Sequence, residues 1–478
     1  MTARSESQQE WKQLVVICLG AFLFFNSFGS INVALPNIQA EFDSSLAAIQ
    51  WVSMMGLVML SSLSFCFARA GNLLGQRTLY RGGVLLYAMG AGLAALSTSF
   101  TQLLIFRAVM SVGLAMAVPM SAAILAAVYP AHRRGYALGL LASAVAIGRT
   151  TGPTIGGFLV YLWGWRAIFL LNLAIGMLVS AAVFSVFKGR EERKRGAFDL
   201  WGSAALMIGY PALLIALSLG ANSGWGSAQT VFWLSLAASG LSFFFYIERR
   251  VEKPLVDVAL LKSRPLAAAL LSLAIGTAAY SPINVAAPLF MQQALALSPL
   301  AIGFVMAALP LCTALASPLS GRLADRIEAK RISALGLGFI LAGIFVYAAA
   351  GFSSTVWSVA LALMLIGIGT GFFIPANQKA AFATVGSEDY GILSAMLSSF
   401  GTAASTLGTT LTVALIETRM FGGGTDTSAN FAAAQSFAFA ALVPLAAIAL
   451  AVTLIERKGS TQSTVRAQND RNGAGDHA

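Results

Sequence analysis

Apolar stretches of about 20 residues, long enough as helices to cross the roughly 30 Å hydrocarbon core of a bilayer, recur from one end of this chain to the other. Fourteen can be drawn, at about 13–35, 46–67, 79–97, 102–125, 136–160, 166–187, 201–220, 229–247, 266–290, 299–320, 332–351, 356–378, 391–416 and 431–455. None alternates polar and apolar residues as a barrel strand does, and open sheets cannot span lipid, so the spans are expected to be helices. Only 10% of the 478 residues are charged, against roughly 25% in soluble domains. Those two facts exclude a soluble enzyme, a nucleic-acid-binding protein and a single-span receptor. Tryptophans 11, 51, 163, 165, 201, 225 and 357 fall at or beside predicted span ends, where an amphipathic ring prefers the headgroup zone.

The net charge of +11 resolves by compartment. Of 30 basic and 19 acidic residues, the N-terminal tail, the loops after even-numbered spans and the C-terminal tail take 26 and 15; the opposite loops take 2 and 4, and the spans 2 and 0. The positive-inside rule therefore puts both termini in the cytoplasm. The basic runs at 188–200 and 248–265 separate six spans, a pair and six more. This predicts a six-helix half at 1–187, a linker with two accessory helices at 188–265, a second half at 266–456 and a disordered tail at 457–478. Residues 68–77, ARAGNLLGQR, align at an offset of 253 with 321–330, GRLADRIEAK, pairing Arg69 with Arg322, Asn72 with Asp325 and Arg77 with Lys330. Recurrence at the same loop is what duplicated halves predict.

Three features carry chemistry. Gly148, Gly152, Pro153, Gly156 and Gly157 lie in span 5, with Gly148, Gly152 and Gly156 four apart on one small-residue face. That face is either a static packing seam or a surface that gates between two states. In the loop after span 10, Asp325 sits among Arg322, Arg326 and Lys330. A carboxylate there can accept hydrogen bonds from a neighbouring helix N-terminus and pair with basic side chains. Asn72, in the first copy, can cap a helix but cannot form an ion pair. The third feature is Arg107 in span 4 and Arg149 in span 5, at depths where an arginine faces protein or a watery cavity. Arg107 could also snorkel to the nearer surface. Arg149 is either a hydrogen-bond donor to the carbonyls of a broken helix or a cavity charge. Asn26, Ser27 and Asn32 in span 1 and Tyr280 and Asn284 in span 9 are further candidates for a polar cavity wall. No acid falls within an apolar core; Glu417 comes nearest.

These residues resemble the major facilitator superfamily, and more narrowly its fourteen-helix drug:proton antiporter branch. Gly321-Arg322-Leu323-Ala324-Asp325-Arg326 is similar to the family's loop motif; the first copy departs from it at Ala68 and Asn72. Arg107 with Gly113 resembles the motif of helix 4, with Met110 and Ser111 at altered positions. Gly148-x-x-x-Gly152-Pro153-x-x-Gly156-Gly157 resembles the helix-5 motif, which in the family accompanies export. Asn32 to Pro36, Trp165-Arg166 to Asn172, and Pro254-Leu255 to Asp257 resemble the fourteen-helix branch.

The resemblance implies two six-helix halves around a central cavity, an exported small amphipathic substrate and coupling to protons. It assigns Arg107, Gly148, Gly152, Pro153, Gly156, Gly157, Asn72, Arg77, Gly321, Arg322, Asp325 and Arg326 to coupling and gating. Helix-1 acids are common in that branch, five residues before the Asn of the Asn-Val-Ala-Leu-Pro segment, and that position here is Ser27. The alternatives are an exporter or facilitator of anionic metabolites without proton antiport, and a membrane sensor that carries nothing. No phosphate-binding loop is present, so no ATP is expected. His132 and His477 are the only histidines, and the three cysteines, Cys18, Cys66 and Cys312, lack pairing or ligand spacing. Neither a metal, a cofactor, nor catalysis is expected. The expected location is a bacterial inner membrane.

Overall fold

The computed structural model describes residues 3–44, 46–187, 200–248, 250, 263–297, 299–353, 355–420 and 427–455. The basic runs, the Pro254 to Asp257 segment and the C-terminal tail lie wholly or largely outside them. The described residues form helices joined by short turns and contain no strand. The first eight are α1 (Ala3–Phe42), α2 (Leu46–Leu74), α3 (Gln76–Ala95), α4 (Phe100–Val128), α5 (Arg134–Trp163), α6 (Arg166–Val186), α7 (Leu200–Ser223) and α8 (Ala228–Glu248). There follow α9 (Arg264–Tyr280), α10 (Ile283–Gln293), α11 (Pro299–Met306), α12 (Ala308–Arg326), α13 (Ala329–Ser353), α14 (Val356–Phe382), α15 (Tyr390–Met420) and α16 (Thr427–Ile455). Among the described residues ten helical segments are long and apolar enough to cross a membrane.

Each apolar stretch drawn from sequence coincides with helix, but the ninth and tenth are each broken once. Pro282 follows the end of α9 and has no N–H for the carbonyl of Ala278; Pro310 likewise leaves the carbonyl of Met306 without its donor just where α11 gives way to α12. By contrast α5 runs through Pro153 without interruption.

Close packing follows the glycines, and it repeats. On α3 and α4 a Cβ at Gly83 would lie 2.8 Å from the Gly113 carbonyl oxygen, and one at Gly113 would strike the Tyr87 backbone. On α13 and α14 a Cβ at Gly336 would lie 2.7 Å from the Gly369 oxygen, and one at Gly369 would lie 2.7 Å from Ile340 N. Gly83 and Gly336 differ by 253, as do Tyr87 and Ile340, while Gly113 and Gly369 differ by 256. The pairing of α1 with α5 recurs in that of α9 with α15: a Cβ at Gly152 would meet the carbonyl of Asn26, and one at Gly408, 256 residues on, the carbonyl of Ala278, 252 residues on. Backbones this close exclude any side chain, which is how helices associate where no hydrophobic force drives them together.

The packing sorts the helices accordingly. Helices α1 to α6 pack on one another and α9 to α16 on one another; the two sets meet where α5 crosses α12 and α14 and where α15 crosses α2 and α4. Helices α7 and α8 pack together through Gly209 and Gly240. They rest on the outside of that second crossing, through the Tyr210 hydroxyl, which donates to the Ser399 carbonyl at 2.5 Å, and the Thr410 hydroxyl, which donates to that of Leu217 at 3.2 Å.

Candidate functional site: a closed face and the cleft beyond it

The crossing of α5 and α12 is closed at the end bearing the basic loops. Asp325, in the last turn of α12, accepts hydrogen bonds from Gly135 N and Tyr136 N at the start of α5, both at 2.9 Å. Those are unpaired N–H groups of a helix N-terminus, where the macrodipole also favours a carboxylate. The ion-pair partner of Asp325 is Lys379 of α14, at 2.5 Å, which also donates to the Ala324 carbonyl at 2.7 Å. The sequence pointed to Arg322, Arg326 and Lys330 instead. Arg322 stacks on the Tyr136 ring at 4.8 Å and Arg326 is exposed. A Cβ on Gly321 would run into the Gly135 carbonyl. Further along, the Ser143 hydroxyl donates to the Ala314 carbonyl at 2.8 Å.

The crossing of α15 and α2 is a second copy of this latch with its charges missing. A Cβ at Gly391 would approach the Ala68 carbonyl oxygen and Asn72 Oδ1, each at 3.3 Å. Gly391 stands 256 after Gly135, and Ala68 and Asn72 stand 253 before Gly321 and Asp325. Asn72 Oδ1 is buried with no hydrogen-bond partner. Counted from the prolines of the two matching helices, Lys379 is four after Pro375 as Ala123 is four after Pro119, so the first copy lacks the base as well as the acid. Arg77 lies over the Phe187 ring at 5.8 Å. Rebuilding this latch by Asn72→Asp with Ala123→Lys is expected to slow opening of the basic face about tenfold, the effect of a gain near 1.4 kcal/mol. Unchanged thiol labelling of a cysteine placed at that crossing would contradict it.

The helix-5 glycines do not face the other set of helices. A Cβ would lie 2.7 Å from the Phe22 oxygen at Gly148, 2.5 Å from the Asn26 oxygen at Gly152, and 2.6 Å from Ser30 Cα at Gly156. The partners step by four along α1 as the glycines do along α5. The Ser30 hydroxyl lies 2.8 Å from the Gly152 carbonyl, and Asn26 Nδ2 donates to Thr151 Oγ1 at 2.9 Å. Asn26 is thus committed to this seam and not to a cavity wall. Gly157 points elsewhere, with only Val33 Cγ1 at 3.8 Å, and Pro153 packs on Gly29.

Past Ser143 the α5 surface opens. The Arg149 side chain is exposed near the middle of α5, with α1 of its own set on one side and α9 of the other set near it, so it lines a cleft between the two sets. Its guanidinium sits 4.9 Å from the Phe25 ring centroid and within electrostatic range of the Tyr280 hydroxyl on α9. Of the six cavity candidates the structure brings these two together. Asn32 and Asn284 are exposed on α1 and α10, Asn284 donating to the Ser281 carbonyl at 3.0 Å. Ser27 turns towards Arg107 instead.

Arg107 does not snorkel. It is 4% exposed; Nε donates to the Val52 carbonyl at 3.1 Å and Nη1 to the Met110 sulfur at 3.2 Å. Beside it lies a small cavity lined by Ser27, Phe28, Gly56, Tyr87 and Met110. The side chain of Glu417 is outside the described residues, and no cluster of metal ligands occurs among those described.

A helical bundle of repeated apolar spans, clamped at one face and open around a deep cation beyond it, defines a multi-pass membrane transporter. The sequence matches the Major Facilitator Superfamily over residues 17–250 and 266–474, and the chain belongs to that family, whose members are transporters and not enzymes. Among characterised relatives it is 26% identical over 408 residues to the riboflavin transporter RibZ of Clostridioides difficile strain 630, covering 84% of this chain and 87% of that one. It is 30% identical over 396 residues to the multidrug resistance protein Stp of Mycobacterium tuberculosis strain CDC 1551 / Oshkosh, covering 83% and 74%. The fold is similar to the crystal structure of the human organic anion transporter MFSD10 (TETRAN), with a TM-score of 0.66 at 17% identity, covering 93% of this chain and 99% of that one.

Proposed function

We propose that this protein is a secondary active exporter of small amphipathic compounds, working by alternating access between two six-helix halves, residues 1–187 and 266–456, and driven by the proton gradient. In this reading fourteen spans cross a bacterial inner membrane, both termini are cytoplasmic, and α7 with α8 form an accessory pair outside the core. The observation that carries it is the duplicated crossing: α5 on α12 and α15 on α2 close the basic face, which this reading makes cytoplasmic, while Arg149 and Tyr280 line a cleft beyond. A closed cytoplasmic face with an outward cleft is one end of a rocking cycle. The relatives that transport riboflavin or confer multidrug resistance support a ligand of that size and polarity.

A second reading, export or facilitated passage of anionic metabolites without proton antiport, is favoured by Arg149. A guanidinium beside an aromatic face and within electrostatic range of a phenol is placed to receive a carboxylate or sulfonate, and no described carboxylate lies in the cleft. Uptake into proteoliposomes with and without an imposed pH gradient separates the two. Cationic, neutral and anionic amphiphiles are compared. Gradient-driven flux supports the first reading, and indifference to the gradient removes proton antiport. Arg149→Ala is expected to lower flux of anionic compounds by about tenfold or more, the worth of one charge-assisted contact at 1.5–3 kcal/mol, and to spare neutral ones. An unchanged substrate profile would refute a role for Arg149 in the cleft.

A further inference from the structure

Arg107 presents an imbalance that no described residue corrects. It is fixed on α4 at 4% exposure. A guanidinium cannot shed its charge by losing a proton, and an unpaired charge held away from water costs several kcal/mol. None of the ion pairs among the described residues reaches it; they join Glu41 to Arg166, Glu328 to Arg331 and Asp325 to Lys379. Its two described hydrogen bonds go to one carbonyl and to a thioether, a weak acceptor. The matching position in the second set of helices, 256 residues on, is Leu363, so the charge is not a packing requirement of the repeat.

The surroundings of the guanidinium keep a place open. Gly56 faces Nη2, which lies 3.5 Å from where a Gly56 Cβ would stand, and the edge atoms Cε1 and Cζ of Phe28 lie 2.8 and 3.1 Å from that same point. The edge of an aromatic ring carries the positive part of its quadrupole. Ser27 Oγ is 3% exposed beside the Tyr87 hydroxyl, which itself donates to Asn172 Oδ1 at 3.0 Å, so the Ser27 O–H can turn from that oxygen to an acceptor in the cavity. The cavity is small, with room for about one water-sized occupant. A guanidinium edge, a buried hydroxyl and a ring edge converge there, and all three favour negative charge.

We propose that the cavity between α1, α2 and α4 binds a single halide ion, held by Arg107 Nη2 and Ser27 Oγ, and that this ion supplies the negative charge that the described residues do not. The site lies on the α1, α2 and α4 side of Arg107, apart from the Arg149 cleft.

The test is equilibrium binding of radiolabelled chloride to the purified protein, with melting curves in potassium chloride, bromide and gluconate at equal ionic strength. About one chloride per chain, and a melting temperature that rises and saturates with halide but not with gluconate, is the expected result. Arg107→Met should lower chloride retention about thirtyfold or more, as expected when one partner of a buried charge pair is truncated. Ser27→Asp places a carboxylate against the guanidinium and should abolish chloride binding while leaving a folded protein whose melting no longer responds to halide. Absence of bound chloride in the wild type, with identical melting in chloride and gluconate, means that the cavity holds water and overturns the proposal. Chloride binding that survives Ser27→Asp overturns it equally. All of these readouts are independent of flux, so they stand apart from the transport reading.

Discussion

Replacing Asp325 by alanine is expected to shift the protein away from the closed basic face by roughly a hundredfold in equilibrium constant. The carboxylate is the single acceptor for two helix-terminal N–H groups of α5 and pairs with Lys379 at side-chain exposures of 9% and 15%. Removing one member of a buried ion pair costs about 3–5 kcal/mol because the other is left without a partner, and the lower figure converts to roughly that factor. The two components separate by mutation. Asp325→Asn keeps an acceptor for the α5 amides and loses the ion pair; Lys379→Met keeps the amide bonds and leaves the carboxylate alone. Both should fall between wild type and Asp325→Ala. The readout is the labelling rate of Ser143→Cys, which sits against Ala314 inside the closed crossing, by a thiol reagent applied from the basic side after Cys18, Cys66 and Cys312 are replaced. A labelling rate that does not change with Asp325→Ala would remove the latch from the mechanism.

That latch also marks how far sequence reasoning reaches. The carboxylate was legible because it stands out against a helix end rich in arginine. Its partner was not, since Lys379 lies 54 residues away on another helix and nothing local links the two. A signal did exist: the offset of 256 that carries α4 onto α14 sets Lys379 against Ala123, so acid and base are missing together from the first copy. The glycines held the same information. Gly83 with Gly336 and Gly152 with Gly408 repeat at 253 and 256, but a comparison confined to ten loop residues could not see contacts made in the interior of spans.

The spans themselves were readable because lipid imposes length and apolarity on every helix that crosses it. The two breaks turned on single residues, Pro282 and Pro310, each inside an apolar run that looked continuous. The cavity wall was harder. Asn26, Ser27 and Arg149 all lie at depth on α1 or α5, yet they face three different surroundings: the α1–α5 seam, the Arg107 cavity and the open cleft. Depth follows from position along a span, but azimuth depends on which neighbour each helix meets. Glycine spacing told that span 5 had a partner; it did not tell that the partner was α1.

That assignment decides what a large residue in the glycine motif should do. Gly156→Leu is expected to lower transport at least about a hundredfold while the protein still reaches the membrane. A Cβ there would sit 2.6 Å from Ser30 Cα and 2.8 Å from its carbonyl oxygen, and backbone atoms cannot rotate aside as a side chain can. Overpacking of a core costs about 1–3 kcal/mol when neighbours adjust; here relief requires α1 to move off α5, breaking the Ser30 contact with Gly152 and the Asn26 bond to Thr151. Gly157→Ala, one residue on, meets only Val33 Cγ1 at 3.8 Å and should retain flux. If the seam is a fixed part of one rigid unit, a disulfide between cysteines at positions 26 and 151 leaves transport running, whereas one between positions 143 and 314 stops it by locking the basic face shut. Were the seam itself the moving gate, the first disulfide would also stop transport. Wild-type flux from Gly156→Leu would mean that the α1–α5 approach is not needed for function at all.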